Sequence, residues 1–151
     1  MIEEVEFLTS EDDDNIYFEG YTLKERIGLQ TLNMELQLVE ETFDTRYLGI
    51  YMTLYNKRSQ IEDNENQVKS TGLSPIKTYF IAKKMLISLI KCAIEQEQLK
   101  EKDIVIFCTW LDNRRREVYY KVLSKMGFIY GKHILTKEKV LMRKFKKGES
   151  L

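Results

Sequence analysis

The residues with the clearest chemical bearing are Lys69-Ser70-Thr71-Gly72-Leu73-Ser74-Pro75 and the helix that must follow them. Ser74 is a favoured N-cap, and Pro75 suits the first helical position, where an N–H would be unpaired in any case. A glycine-bearing loop that feeds a helix N-terminus aims several backbone N–H groups outward at the positive end of a helix dipole. Such an arrangement holds anions, and phosphate is the usual one. The same residues also make a plain capping device, so the loop alone does not decide between the two.

Other chemistries are narrower. His133 is the only histidine, which excludes multi-histidine metal sites, and no metal is expected. Cys92 and Cys108 stand in apolar surroundings without CxxC spacing and read as buried free thiols of a reducing compartment. The chain has 151 residues, 43% hydrophobic and 32% charged, enough for one domain with a real core. No apolar run approaches a membrane span, and the acidic start does not fit a signal peptide, so a cytoplasmic protein is expected. The net charge is zero, but residues 1–20 hold acids and no Lys or Arg, while residues 132–147 are rich in lysine. A basic end of this kind touches nucleic acid or an acidic partner in the less common case; ordinarily it is solvated, and nucleic acid is not the expected partner.

These residues need elements to position them. Residues 5–9 read as a first strand, 10–15 as an acidic loop and 16–27 as a second strand ending at Gly28. Residues 32–40 alternate, with Leu32, Met34, Leu36 and Leu38 on one side and Asn33, Glu35 and Gln37 on the other, the period of a half-buried strand. A turn over 42–46 leads to a strand over 48–55. Short turns between these strands predict an antiparallel meander. Residues 56–70 form a long polar loop.

The helix over 76–98 carries a polar stripe (Lys77, Lys84, Ser88, Lys91, Glu95, Gln98) and a wide apolar face that includes Ile76, Phe80, Met85 and Leu89, which predicts burial against a sheet. Residues 103–111 are a nearly continuous apolar strand, as for one covered on both faces. A second helix is expected over 113–126, stopped by Gly127. Residues 130–135, with His133 on the strand surface, and 139–145 finish as a hairpin, followed by a basic tail over 146–151. The fold class is α/β, a mixed and mostly antiparallel sheet with two main helices in a single domain over 1–151.

A strand, a glycine loop, a long helix, a buried strand, a second helix ending in Gly127-Phe128 and terminal strands resemble the Gcn5-related N-acetyltransferase (GNAT) superfamily over about residues 45–145. In that family the loop follows (Gln/Arg)-x-x-Gly-x-(Gly/Ala), and its amides hold the pyrophosphate of acetyl-CoA. Lys69-Ser70-Thr71-Gly72-Leu73-Ser74 is that pattern with two mild substitutions. Leu123-Ser124-Lys125-Met126-Gly127-Phe128 is close to the family's Tyr-x-x-(Leu/Met)-Gly-Phe, with leucine where the family has its tyrosine. The helices that the family places between its first two strands have no room here.

The resemblance implies an acetyl-CoA-dependent N-acetyltransferase whose acceptor is an amine, including one on a protein, and whose acyl donor acetyl-CoA is held by Lys69, Ser70, Thr71, Gly72, Leu73 and Ser74. Lys77 and Thr78 add phosphate contacts, although Lys77 also fits the solvated stripe. Met52, Thr53 and Leu54 pair with the pantetheine amides where the sheet splays. Tyr119 and Tyr120, one turn before Leu123, stand nearest to the missing tyrosine, with Tyr120 as the general acid. Asn113 lies one turn from the position of the family asparagine, which falls near Arg116. A base must take a proton from the acceptor ammonium, and Glu35 is the candidate, against the plainer reading of a solvent-facing strand residue. A homodimer through the C-terminal strands also fits the family. The missing tyrosine, the absence of a carboxylate on strand 48–55 and the lost helices support a second reading, a catalytically degenerate member acting as a binding or inhibitory module.

Overall fold

The computed structural model describes residues 5–12, 15–56, 62–63, 75–109 and 119–149. The strands are β1 (Glu6–Asp12), β2 (Asn15–Ile27), β3 (Gln30–Glu41), β4 (Thr45–Asn56), β5 (Glu62–Asp63), β6 (Asp103–Cys108), β7 (Ile129–Lys132) and β8 (Lys139–Phe145); α1 is Pro75–Glu97. Hydrogen bonding runs β1-β2-β3-β4-β6-β8-β7, with β5 on β4. The fold is thus mixed α/β. The chain divides into two compact units, one made of Met1–Leu36 and Tyr51–Cys92, the other of Gln37–Ile50 and Ala93–Leu151.

In the first unit β1 pairs antiparallel with β2, and the register slips where Ser10 faces Phe18 but Glu11 faces Ile16. The expected acidic loop over 10–15 is corrected, because β1 runs through Asp12. Backbone pairing overrides the weak strand preference of Glu and Asp, and charges are well placed on an edge strand, where they discourage pairing with other chains. Gly28 turns β2 into β3 at φ 57°, a value that suits glycine in a two-residue hairpin turn. Tyr21, Leu23 and Ile27 of β2 and Leu32, Met34 and Leu36 of β3 are buried, at the two-residue spacing of one sheet face. The opposite face is not simply wet. Thr22 and Asn33 are buried too, and the Thr22 hydroxyl donates to Asn33 Oδ1 at 2.8 Å.

In the second unit the turn after β3 is tighter than the expected 42–46. Thr42 N–H donates to Thr45 O at 2.8 Å, and Thr45 and Arg46 already belong to β4. The hydroxyls of Thr45 and Thr42 both donate to Asp44 Oδ1 and hold its carboxyl below the ordinary range, the Thr45 contribution being the larger. β4 and β6 are parallel, from Thr45 opposite Asp103 to Ile50 opposite Cys108. Ile104, Val105, Ile106, Phe107 and Cys108 are all buried, as their unbroken apolar run requires of a central strand. The strand ends at Cys108, three residues short of the expected limit, and 110–111 lie outside the described residues.

In α1 the buried positions are Met85, Leu86, Leu89, Ile90, Ala93 and Ile94, together with Glu97. Ile76 and Phe80, expected on this face, are 69% and 52% exposed. Four-residue spacing lines them up with Lys84 and Ser88 on the polar stripe, which explains the correction.

Residues 119–123 are helical and pass into a 3-10 turn, Ser124–Met126. Gly127, at φ 85°, donates to Ser124 O, and Phe128 N–H donates to Leu123 O at 3.0 Å. This is the 6→1, 5→2 pair of a Schellman stop, and Leu123 and Phe128 are both buried. Arg143 Nη1 donates to Met126 O.

The expected strand over 130–135 stops at Lys132. His133 is buried rather than on the strand surface. Its Nδ1 accepts from Leu135 N–H at 3.0 Å and Thr136 N–H at 3.3 Å, and its backbone N–H donates to Glu138 O, so the ring organises the loop to β8. The basic tail is tied back as far as Glu149: Lys147 N–H donates to Asp103 Oδ1, and Gln98 Nε2 donates to Glu149 O.

Candidate functional site

The donor-side candidates belong to the first unit. Lys69, Ser70, Thr71, Gly72, Leu73 and Ser74 lie outside the described residues, as do Asn113 and Arg116. What they feed is present: α1 starts at Pro75, the position where proline completes a helix start, and Lys77 and Thr78 occupy its first turn. Lys77 is exposed.

Met52, Thr53 and Leu54 are consecutive on β4. β6 pairs with β4 only as far as Ile50, and β5 meets β4 at Leu54 and Tyr55. Between them, 51–53 pair with neither strand among the described residues. Thr53 Oγ1 is buried and has no hydrogen-bond partner among the described residues. An unsatisfied buried hydroxyl costs about 1–3 kcal/mol, so it marks a place where a ligand's polar group would be welcome. Beside it, burial pushes the Tyr51 phenol up. Glu35 sits mid-β3, half-buried and on the side of Asn33.

The two tyrosines belong to the second unit and differ sharply. Tyr119 is buried, its ring used in packing. Tyr120 is 44% exposed and stacks on Tyr130, ring centroids 5.6 Å apart and planes within 8°. Lys139 Nζ lies 4.4 Å from the Tyr130 centroid. Leu123 has no exposed surface. Cys108 Sγ donates to Thr109 O, and both cysteines are free thiols.

No known protein family, curated protein or solved structure matches this chain. Among the described residues there is no group of three or more His, Cys, Asp or Glu suited to a metal ion, and no helix is long and apolar enough to cross a membrane.

Sequence reading missed Tyr130, Lys132 and Lys139, because a hairpin's partners become visible only when its register is known. It also missed Arg46 and Glu97, which meet from positions 51 apart with no local pattern to announce them.

Proposed function

We propose that this chain is an acetyl-CoA-dependent N-acetyltransferase with a GNAT-like fold, transferring an acetyl group to an amine. The observation that carries the reading is the parallel β4/β6 pair joined through the Gly72 loop and α1, with β4 continuing beyond Ile50 past the last residue paired to β6. On this reading the backbone groups of 51–53 and the buried Thr53 hydroxyl would receive the amides of pantetheine. The loop 69–74 supplies main-chain donors for the pyrophosphate, with Lys77 and Thr78 beside it.

Acetyl-CoA supplies the activated acyl group. The chain's own contribution is to hold the thioester and the amine in line, which accounts for a large part of the rate of such a transfer. Glu35 is the proposed base for the ammonium proton, directly or through a water, and the resemblance assigns to Tyr120 the role of acid toward the leaving thiolate. The fully buried Leu123 favours a second reading, in which the fold binds acetyl-CoA or a protein partner without turnover.

Calorimetric titration of acetyl-CoA into the wild-type protein and into Gly72→Asp tests the reading. Micromolar binding that the variant abolishes supports it, and an acceptor screen with Tyr120→Phe then separates enzyme from binding module. A folded wild-type protein that does not bind acetyl-CoA overturns the enzyme reading.

A further inference from the structure

Residues 119–149 carry nine lysines or arginines against two glutamates, an excess of seven positive charges in a chain that is neutral overall. Charge alone says little about a partner. The register of β7 and β8 adds a specific arrangement: Lys132 lies directly opposite Lys139. Like charges in that position repel and weaken the strand pair. Among the described residues no carboxylate forms an ion pair with either lysine.

Residues two apart on a strand share a face, so Tyr130 stands on the same face as these lysines. Tyr120 stacks on Tyr130, and the Lys139 ammonium reaches over the Tyr130 ring. Tyr120 and Tyr130 are 44% and 40% exposed as residues, and β7 ends the sheet among the described residues. Two near-parallel exposed rings beside a cross-strand lysine pair combine a flat stacking surface with positive charge.

That combination suits single-stranded nucleic acid, in which bases are free to stack on aromatic side chains while lysines follow the phosphates. A duplex keeps its bases stacked internally. An acidic peptide would use the lysines but would have no need of the paired rings. We propose that the Tyr120–Tyr130 pair with Lys132 and Lys139 is a binding patch for single-stranded nucleic acid. The proposal shares Tyr120 with the acetyltransferase reading, and the competition with acetyl-CoA below separates the two.

The test is fluorescence anisotropy with a labelled oligothymidylate of about fifteen nucleotides, within the usual footprint of roughly 4–16 nucleotides for such sites. Binding is expected at low salt, weakening as salt rises with a log–log slope of about 0.7 per phosphate neutralised. Tyr130→Ala loses about ten-fold or more in affinity at an unchanged salt slope, and Tyr130→Phe, which keeps the ring, restores it. Lys132→Gln with Lys139→Gln lowers the slope by about 1.4. Circular dichroism confirms that each variant is folded; if Tyr130→Ala is not, the lysine pair and Tyr130→Phe still decide. Absence of binding at low salt overturns the proposal. So does equal competition by polyglutamate with no loss in Tyr130→Ala, which would indicate an acidic protein partner. One-for-one displacement of the oligonucleotide by acetyl-CoA would assign the patch to the cofactor and overturn it as well.

Discussion

Arg46 and Glu97 form an ion pair with almost no contact with water. Arg46 Nε donates to both Glu97 carboxylate oxygens, at 3.1 and 3.3 Å, and a second guanidinium nitrogen donates to Oε1 at 3.2 Å. The side chains are 4% and 0% exposed. Glu97 sits at the C-terminal end of α1, where the helix dipole disfavours a carboxylate. Arg46, at the start of β4, offsets this, and its Nη1 reaches on to Glu41, which also accepts from Lys102 Nζ at 2.8 Å. Two cations and two carboxylates thereby tie the last turn of α1 to the ends of three strands.

Arg46→Met should destabilise the protein by about 3–5 kcal/mol, because it leaves Glu97 buried without its partner. Arg46→Lys should recover little, since an ammonium cannot reproduce the forked contact. Arg46→Met combined with Glu97→Leu should recover most of the loss. Chemical denaturation midpoints of these variants, of the wild type and of Glu97→Leu alone check this, and additive single losses in the double variant would contradict it.

The acid limb of stability should contain a contribution from Glu41. In the folded state the Lys102 hydrogen bond, opposed by burial and reinforced by Arg46, holds its carboxyl below the ordinary 4.5. The unfolded chain therefore binds this proton at a higher pH than the folded one. The stabilisation is present above pH 4.5 and is lost as pH falls through the lowered folded value. Lys102→Met should flatten that part of a stability–pH profile and reduce its salt sensitivity. An unchanged profile would remove Lys102 from the account.

Gly131 is required by close packing. A Cβ there would collide with Met142 Sδ and lie 2.9 Å from its Cγ. Because that side chain is flexible, Gly131→Ala should cost about 1–3 kcal/mol, the usual range for overpacking. Met142→Ala should relieve the clash, so the double variant should show a favourable coupling in a thermal-melt cycle.

Gly127→Ala should cost about 1 kcal/mol through its positive φ, and Gly127→Asn less, because asparagine tolerates this region better. Refolded samples should keep their secondary structure by circular dichroism. Equal losses for the two variants would mean that something other than backbone conformation dominates.

Thr53→Val should leave stability unchanged or raise it by about 1 kcal/mol, since it removes a buried hydroxyl with no partner among the described residues. If the acetyl-CoA reading holds, the same change should weaken acetyl-CoA binding measured by calorimetry. Lower stability in the absence of ligand would show that the hydroxyl already has a structural partner.

The sequence by itself determined the elements whose signals are local. The apolar run 104–108 made a buried strand, Ser74-Pro75 marked the start of α1, the alternation of Leu32, Met34 and Leu36 marked a sheet face, and Gly127-Phe128 marked a helix stop. Each of these depends on neighbours within a few residues, through hydrogen bonds of one turn or the two-residue period of a strand. The tertiary structure decided everything that depends on pairing between distant segments. It drew the acidic residues 11–12 into β1, buried Arg46 against Glu97, turned His133 from a strand residue into the organiser of a loop, and set Lys132 opposite Lys139 beside the stacked tyrosines. No local pattern encodes these meetings, because register and the burial of charge are fixed only when the strands come together.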